Sequence, residues 1–153
     1  MGLFNFLKSA GRKEQEEQEA AVIEKNQELI KANKLKRYVL SLGLGVENLK
    51  IAFDDSVATV SGTAESQSVR EKVVLAIGNT EGVGQVDDQM DVATEEAEAR
   101  FHTVVRGDSL SAIAKTYYGD AMKYPAIFEA NKPMLTDPNL IYPGQVLRLP
   151  VEV

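Results

Sequence analysis

The chain has 153 residues, enough for one ordinary domain or two small ones, and no apolar run approaches the roughly 20 residues a membrane-spanning helix needs. With no cysteine and a single histidine, His102, it can build neither disulfides nor the thiolate and imidazole clusters that hold zinc or iron. The net charge of −6 comes from the middle, where residues 47–99 carry twelve acids against three bases; this argues against nucleic acid and anionic membrane as partners and favours a cation or a basic partner.

The chain opens MGLFNFLKSAG. A secretory signal would place its basic residues before the apolar stretch, whereas Lys8 follows it, and a myristoylation signal would have Ser or Thr where Phe6 stands. The pattern predicts an amphipathic helical turn over Gly2 to Ala10, with Leu3, Phe4, Phe6 and Leu7 on one side and Gly11 capping its end. Residues 12 to about 34 are rich in Glu, Lys, Gln and Ala, all strong helix formers, with a thin apolar stripe at Val22, Ile23, Leu29 and Ile30; they predict a mostly solvated helix. The segment LKRYVLSLGL predicts a short helix end with Tyr38, Val39 and Leu42 inward, closed by Gly43 and Gly45.

Leu49, Ile51 and Phe53 alternate with polar or small neighbours, Asp54, Asp55 and Ser56 form a turn, and VATV restarts a β-favouring run, which together predict a hairpin. After Gly62 the period changes to 3.6, with Val69, Val73, Ala76 and Ile77 on one helix face and Arg70, Glu71 and Lys72 elsewhere. VGQVDDQMDV alternates again and predicts a strand that joins the sheet through a right-handed crossover. The acidic, Ala-rich stretch VATEEAEA, residues 92–99, has no β period and predicts a linker. Beyond it, FHTVVRGDSLSAIAKTYYGD predicts a strand, a turn and a helix capped by Asp108 or Ser109, with Leu110, Ile113, Ala114 and Tyr117 buried. YPAIFEANK predicts a second helix with Ile127 and Phe128 inward, and LIYPGQVLRLP a Pro143-Gly144 turn and a closing strand.

These last three segments together resemble a LysM domain. VATVSG, the amphipathic helix that follows it and GVGQV resemble a BON domain. The two in this order, headed by MGLFNF, are similar to the small cytoplasmic potassium-binding proteins of enteric and related bacteria. The expected architecture is α+β: an N-terminal helix with its charged extension at 1–24, a BON domain at 25–92, a linker at 93–99 and a LysM domain at 100–153.

The resemblance implies a non-enzymatic, cytoplasmic potassium binder, a sensor or effector that becomes more ordered on binding, with potassium as its cofactor. It implies a monomer, with an unidentified protein partner through LysM or BON and no nucleic acid. Potassium is commonly held by backbone carbonyls that replace its water shell, so side-chain motifs stay silent. Two places can release carbonyls: the end of the first helix, Leu7 to Ala10, and the glycine-bearing loop AIGNTEGVG with Gly78, Gly82 and Gly84. The expected ligands are the carbonyls of Leu7, Ala10, Gly78, Thr80 and Val83. The LysM resemblance separately implies an N-acetylglucosamine groove between Gly107, Asp108, Ser109 and Leu110 on one side and Asn139, Leu140, Ile141 and Tyr142 on the other. An envelope-associated adaptor, binding such glycan through LysM and lipid or protein through BON, is the alternative function.

Other chemistry fits poorly. Gly107-Asp108-Ser109-Leu110 spells the nucleophile block of a lipase family, but the one histidine precedes Ser109 by seven residues, and helix capping explains the same residues. Asp54-Asp55 and Asp87-Asp88 read as solvated surface, since adjacent strand residues point to opposite faces. No segment has the spacing of a calcium loop.

Overall fold

The computed structural model describes residues 8–153. Helix α1 (Lys8–Ser41) leads into a hairpin of β1 (Val46–Asp54) and β2 (Val57–Ser66), then α2 (Gln67–Gly78) and β3 (Gln85–Thr94). The sheet order is β1-β2-β3, with β1 antiparallel and β3 parallel to β2, so α2 is the crossover that parallel pairing requires. A second, two-stranded sheet pairs β4 (Arg100–Thr103) antiparallel with β5 (Val146–Leu149), and between them lie α3 (Leu110–Tyr118), a short 3-10 turn (Ala121–Lys123) and α4 (Tyr124–Ala130). The fold is α+β in two small units, as the sequence implies.

Local chemistry sets the boundaries. The hairpin turns on Asp55 and Ser56, both with positive φ (45° and 66°), as a two-residue loop matching the strand twist demands. Ser66 caps α2, its hydroxyl accepting from Val69 N–H at 3.3 Å, and Ser109 caps α3 in the same way through Ala112 N–H at 3.1 Å. Gly119 closes α3 in the left-handed region with φ 77°.

Each unit has its own core. Leu35 and Val39 of α1 pack with Leu49, Val60, Val73, Ile77 and Met90, while Val104, Leu110, Ile113, Ile127, Leu147 and Leu149 form the second cluster. Burying each such side chain contributes roughly 1.5–3 kcal/mol.

Four expectations change. Gly11 does not end a helix: α1 runs through it without a break, because the Lys, Glu, Gln and Ala residues that follow hold the helical path against a single glycine, whose cost is about 1 kcal/mol. The boundary at residue 24 likewise falls inside α1. The linker is shorter and less free than its composition suggests: β3 takes Val92–Thr94, Glu96 accepts from the Ser68 hydroxyl, and Ala99 N–H donates to Glu71 Oε2 at 3.0 Å. Glu71, expected on the solvent side of α2, is 5 % exposed, because it also receives Arg148 from β5.

Candidate functional site

The chain between α2 and β3 is a tight, fully described loop. At the end of α2 the Asn79 N–H donates to Leu75 carbonyl at 2.9 Å, Thr80 N–H to Ile77 carbonyl at 3.1 Å, and the Thr80 hydroxyl to Ala76 carbonyl at 2.9 Å. Val83 N–H returns to Thr80 carbonyl at 3.2 Å, closing a turn in which Gly82 has φ 87°. Gly84 N–H then meets Ser56 carbonyl at 2.8 Å, and a Cβ at Gly84 would lie 3.2 Å from Ser56 Oγ, so the loop seats closely on the hairpin turn with little room for a side chain there. Gly78, expected to need glycine's freedom, is an ordinary helical residue.

None of these bonds uses the carbonyl of Gly78 or Val83. The loop also meets a positive charge: the Lys31 ammonium, 50 residues earlier on α1, donates to the carbonyl of Glu81. A backbone carbonyl here therefore accepts a cation, which is the chemistry a potassium site needs. Beside it lies a cavity of about 330 Å³ whose lining includes Glu24, Glu28, Asp55, Phe53 and Lys31.

Of the five expected ligands, Gly78 is the last residue of α2 and Thr80 and Val83 lie in the loop that follows it, so the three are neighbours along the chain. Leu7 lies outside the described residues. Ala10 is helical, and on a continuous α1 it stands roughly 30 Å along the axis from Lys31, which touches the loop. The expected clasp between Ala10 and the loop is not assembled in this conformation. The cause is the unbroken helix, whose interior carbonyls are engaged by N–H groups four residues on. Asp88 is occupied by Arg70 at 2.7 Å, and Asp87 accepts from Gln89 at 2.9 Å. Among the described residues, no group of three or more carboxylate or imidazole side chains is placed to hold a metal ion.

The same loop is the seam with the second unit. Asn79 uses both ends of its side-chain amide on β5: Nδ2 donates to Val146 carbonyl and Oδ1 accepts from Val146 N–H, each at 2.8 Å. The Tyr142 hydroxyl donates to Asn79 carbonyl at 3.3 Å. Behind this contact Arg148 reaches Glu71 Oε1 through Nε at 3.2 Å and Nη2 at 3.1 Å. Sequence reasoning did not place Glu71, Asn79 or Arg148 at this seam.

The residues of the implied glycan groove divide. Leu110 is buried in the second core and Ile141 is half-buried against it, so neither is a free groove surface. Ser109 is the α3 cap, and Asp108 accepts from Val105 N–H at 3.0 Å and contacts His102 Nε2 at 2.8 Å. These bonds, the Val105 N–H first and His102 second, hold the Asp108 carboxyl below the usual carboxylate range. The other His102 nitrogen faces the Tyr117 hydroxyl at 3.2 Å, so the ring is engaged on both sides, by partners other than Ser109. Gly107 and Asn139 stay exposed in their loops. Leu140 and Tyr142 turn toward the first unit, where with Tyr38, Asn79 and Thr80 they line an inter-unit cavity of about 460 Å³. Burial, and then the neighbouring Tyr142, raises the Tyr38 hydroxyl pKa there. Gln145 lines the same cavity, and its buried Oε1 has no partner among the described residues.

Comparison with known proteins agrees with this division. The BON domain family matches residues 26–94 and the LysM domain family residues 102–150. The chain is 45 % identical over 153 residues to the potassium binding protein Kbp of Escherichia coli O6:H1, covering 99 % of this chain and 100 % of that one. An uncharacterised Deinococcus radiodurans protein is 48 % identical over 56 residues, 37 % of this chain and 21 % of its own length. A Mycobacterium tuberculosis H37Rv protein named as an esterase is 52 % identical over 46 residues, 30 % of this chain and only 10 % of its own. No helix among the described residues is long and apolar enough to cross a membrane. With both domains in sequence and a relative matched from end to end, the chain belongs to the bacterial BON–LysM family that includes Kbp.

Proposed function

We propose that this protein is a non-enzymatic, cytoplasmic potassium sensor whose ion is held by backbone carbonyls of the loop after α2, chiefly Gly78, Thr80 and Val83. The observation that carries the reading is a cation already seated on this loop's backbone, the Lys31 ammonium on Glu81 carbonyl. The full-length similarity to a protein named for potassium binding supports it. Because Asn79 joins the loop to β5, an ion that orders the loop also stiffens the seam with LysM.

Leu7 and Ala10 add their carbonyls only after the start of α1 folds back. Residues 11–27 of α1 are exposed along their whole length, so tertiary packing contributes little to holding them helical. Ordering of that segment against the loop is the sensing step. Since the ion binds the folded form, it raises stability.

Thermal unfolding in matched potassium and sodium chloride tests this reading, on the full chain and on a chain lacking residues 1–11. The expected result is a larger rise in potassium, much reduced by the truncation. Equal shifts in both salts would mean screening of the acidic middle and no site.

The exposure of Leu140 and Tyr142, 64 % and 46 %, favours a second reading, an envelope adaptor for N-acetylglucosamine polymers. Co-sedimentation of the full chain with peptidoglycan, lost in Tyr142→Ala, would support it.

A further inference from the structure

We propose that Lys31 is the protein's own competitor for the ion, a tethered ammonium that holds the carbonyl loop until potassium displaces it; this rests on the loop being the ion site.

Lys31 has carboxylates within reach of its cavity, since Glu24, Glu28 and Asp55 line it too. It nevertheless bonds to a neutral backbone oxygen, Glu81 carbonyl, across a sequence separation of 50. Two features of the loop make that possible. Gly82 turns the backbone with φ 87°, and its missing side chain leaves the space the lysine uses: a Cβ there would lie 3.3 Å from Lys31 Nζ and 3.7 Å from Cε. The Phe53 ring centroid lies 6.0 Å from Nζ, at the limit of the range at which an aromatic face attracts a cation.

An ammonium carries one positive charge and donates to oxygens, so its demand on the loop resembles that of a monovalent ion. Gly78, Thr80 and Val83 lie within three residues of Glu81. A potassium ion on their carbonyls would face the Lys31 charge at short range, and the two cations repel. Binding of one therefore weakens the other. The competition reaches further than the loop, because Lys31 belongs to α1: its bond ties the middle of that helix to the loop, and its displacement releases the tie. The ion that displaces Lys31 thus loosens the exposed part of α1 that precedes the core residues Leu35 and Val39, the part whose start must fold back.

Calorimetric titration of potassium chloride at constant ionic strength, into full-length wild type, Lys31→Met and Lys31→Arg, tests the proposal. Lys31→Met should bind potassium roughly three- to tenfold more tightly, as expected from removing a nearby like charge, and Lys31→Arg should stay close to wild type. In parallel, the ¹⁵Nζ resonance of Lys31 should lose the signature of its bond to Glu81 as potassium saturates the wild type. Unchanged or weaker binding by Lys31→Met, or a Lys31 resonance indifferent to potassium, would overturn the proposal while leaving the loop as the site. Absence of potassium binding by wild type would remove the loop reading itself.

Discussion

Glu71 and Arg148, 77 residues apart in the chain, form an ion pair at 3.1 Å across the seam between the two units, with side chains only 5 % and 10 % exposed. Glu71 also accepts from Ala99 N–H, so a single carboxylate fixes α2, the end of the linker and β5 together. Removing one partner of a buried pair leaves a desolvated charge. Glu71→Ala should therefore cost about 3–5 kcal/mol by denaturant unfolding, whereas a Glu71→Leu, Arg148→Leu double variant should lose clearly less than the two single changes combined.

Asn79→Ala removes two hydrogen bonds to Val146 and a weaker contact with Met134 Sδ at the edge of the second core. The expected loss is about 1–3 kcal/mol, the cost of leaving backbone groups of β5 without partners. Amide exchange separates a local effect from a global one: Val146 N–H should exchange faster, with Ile77 and Ile127 less affected.

Gly82 holds a φ of 87° that a β-branched residue adopts only with strain. Gly82→Val should destabilise by about 2 kcal/mol and reduce the potassium-dependent rise in melting temperature. Gly84→Ala, which crowds Ser56 instead, should act through the seating of the loop on the hairpin turn.

Asp108 gives the second unit a pH dependence. Its carboxyl is held below the usual range by Val105 N–H and then by His102. A depressed folded pKa contributes stability that is present above the unfolded value of about 4 and is lost as pH falls through the folded one. Wild type should thus melt above Asp108→Asn near neutrality, and the difference should shrink as pH falls below about 4 and vanish in stronger acid. A gap that persists in strong acid would assign Asp108 a role independent of its charge.

Much of the fold is legible in local pattern. The period-2 runs at Leu49–Phe53 and over VGQVDDQMDV, the 3.6 period over Val69–Ile77 and the cap at Ser109 all act within a few residues, which is the range over which side-chain periodicity and capping operate. The loop itself is marked by Gly82 and Gly84 for the same reason. The seam is not legible. Glu71 sits in a polar Arg-Glu-Lys triplet and Arg148 among alternating leucines, so each reads as solvent-facing until the other unit supplies its partner. Asn79 gives no local sign either, because its amide is used on a strand that follows 67 residues later. At Gly11 local reasoning errs in the opposite direction: a glycine that suggests a cap is overridden by the helix formers after it.

The claim that most needs testing is that potassium meets backbone carbonyls of the loop after α2. Carbonyl ¹³C shifts of the uniformly labelled full chain, followed through matched potassium and sodium chloride titrations, test it residue by residue. The account predicts saturable, potassium-selective shifts largest at Gly78, Thr80 and Val83, with smaller changes at Val146 across the seam. Shifts centred on the carboxylates of Asp87 and Asp88, or equal for the two ions throughout, would contradict it.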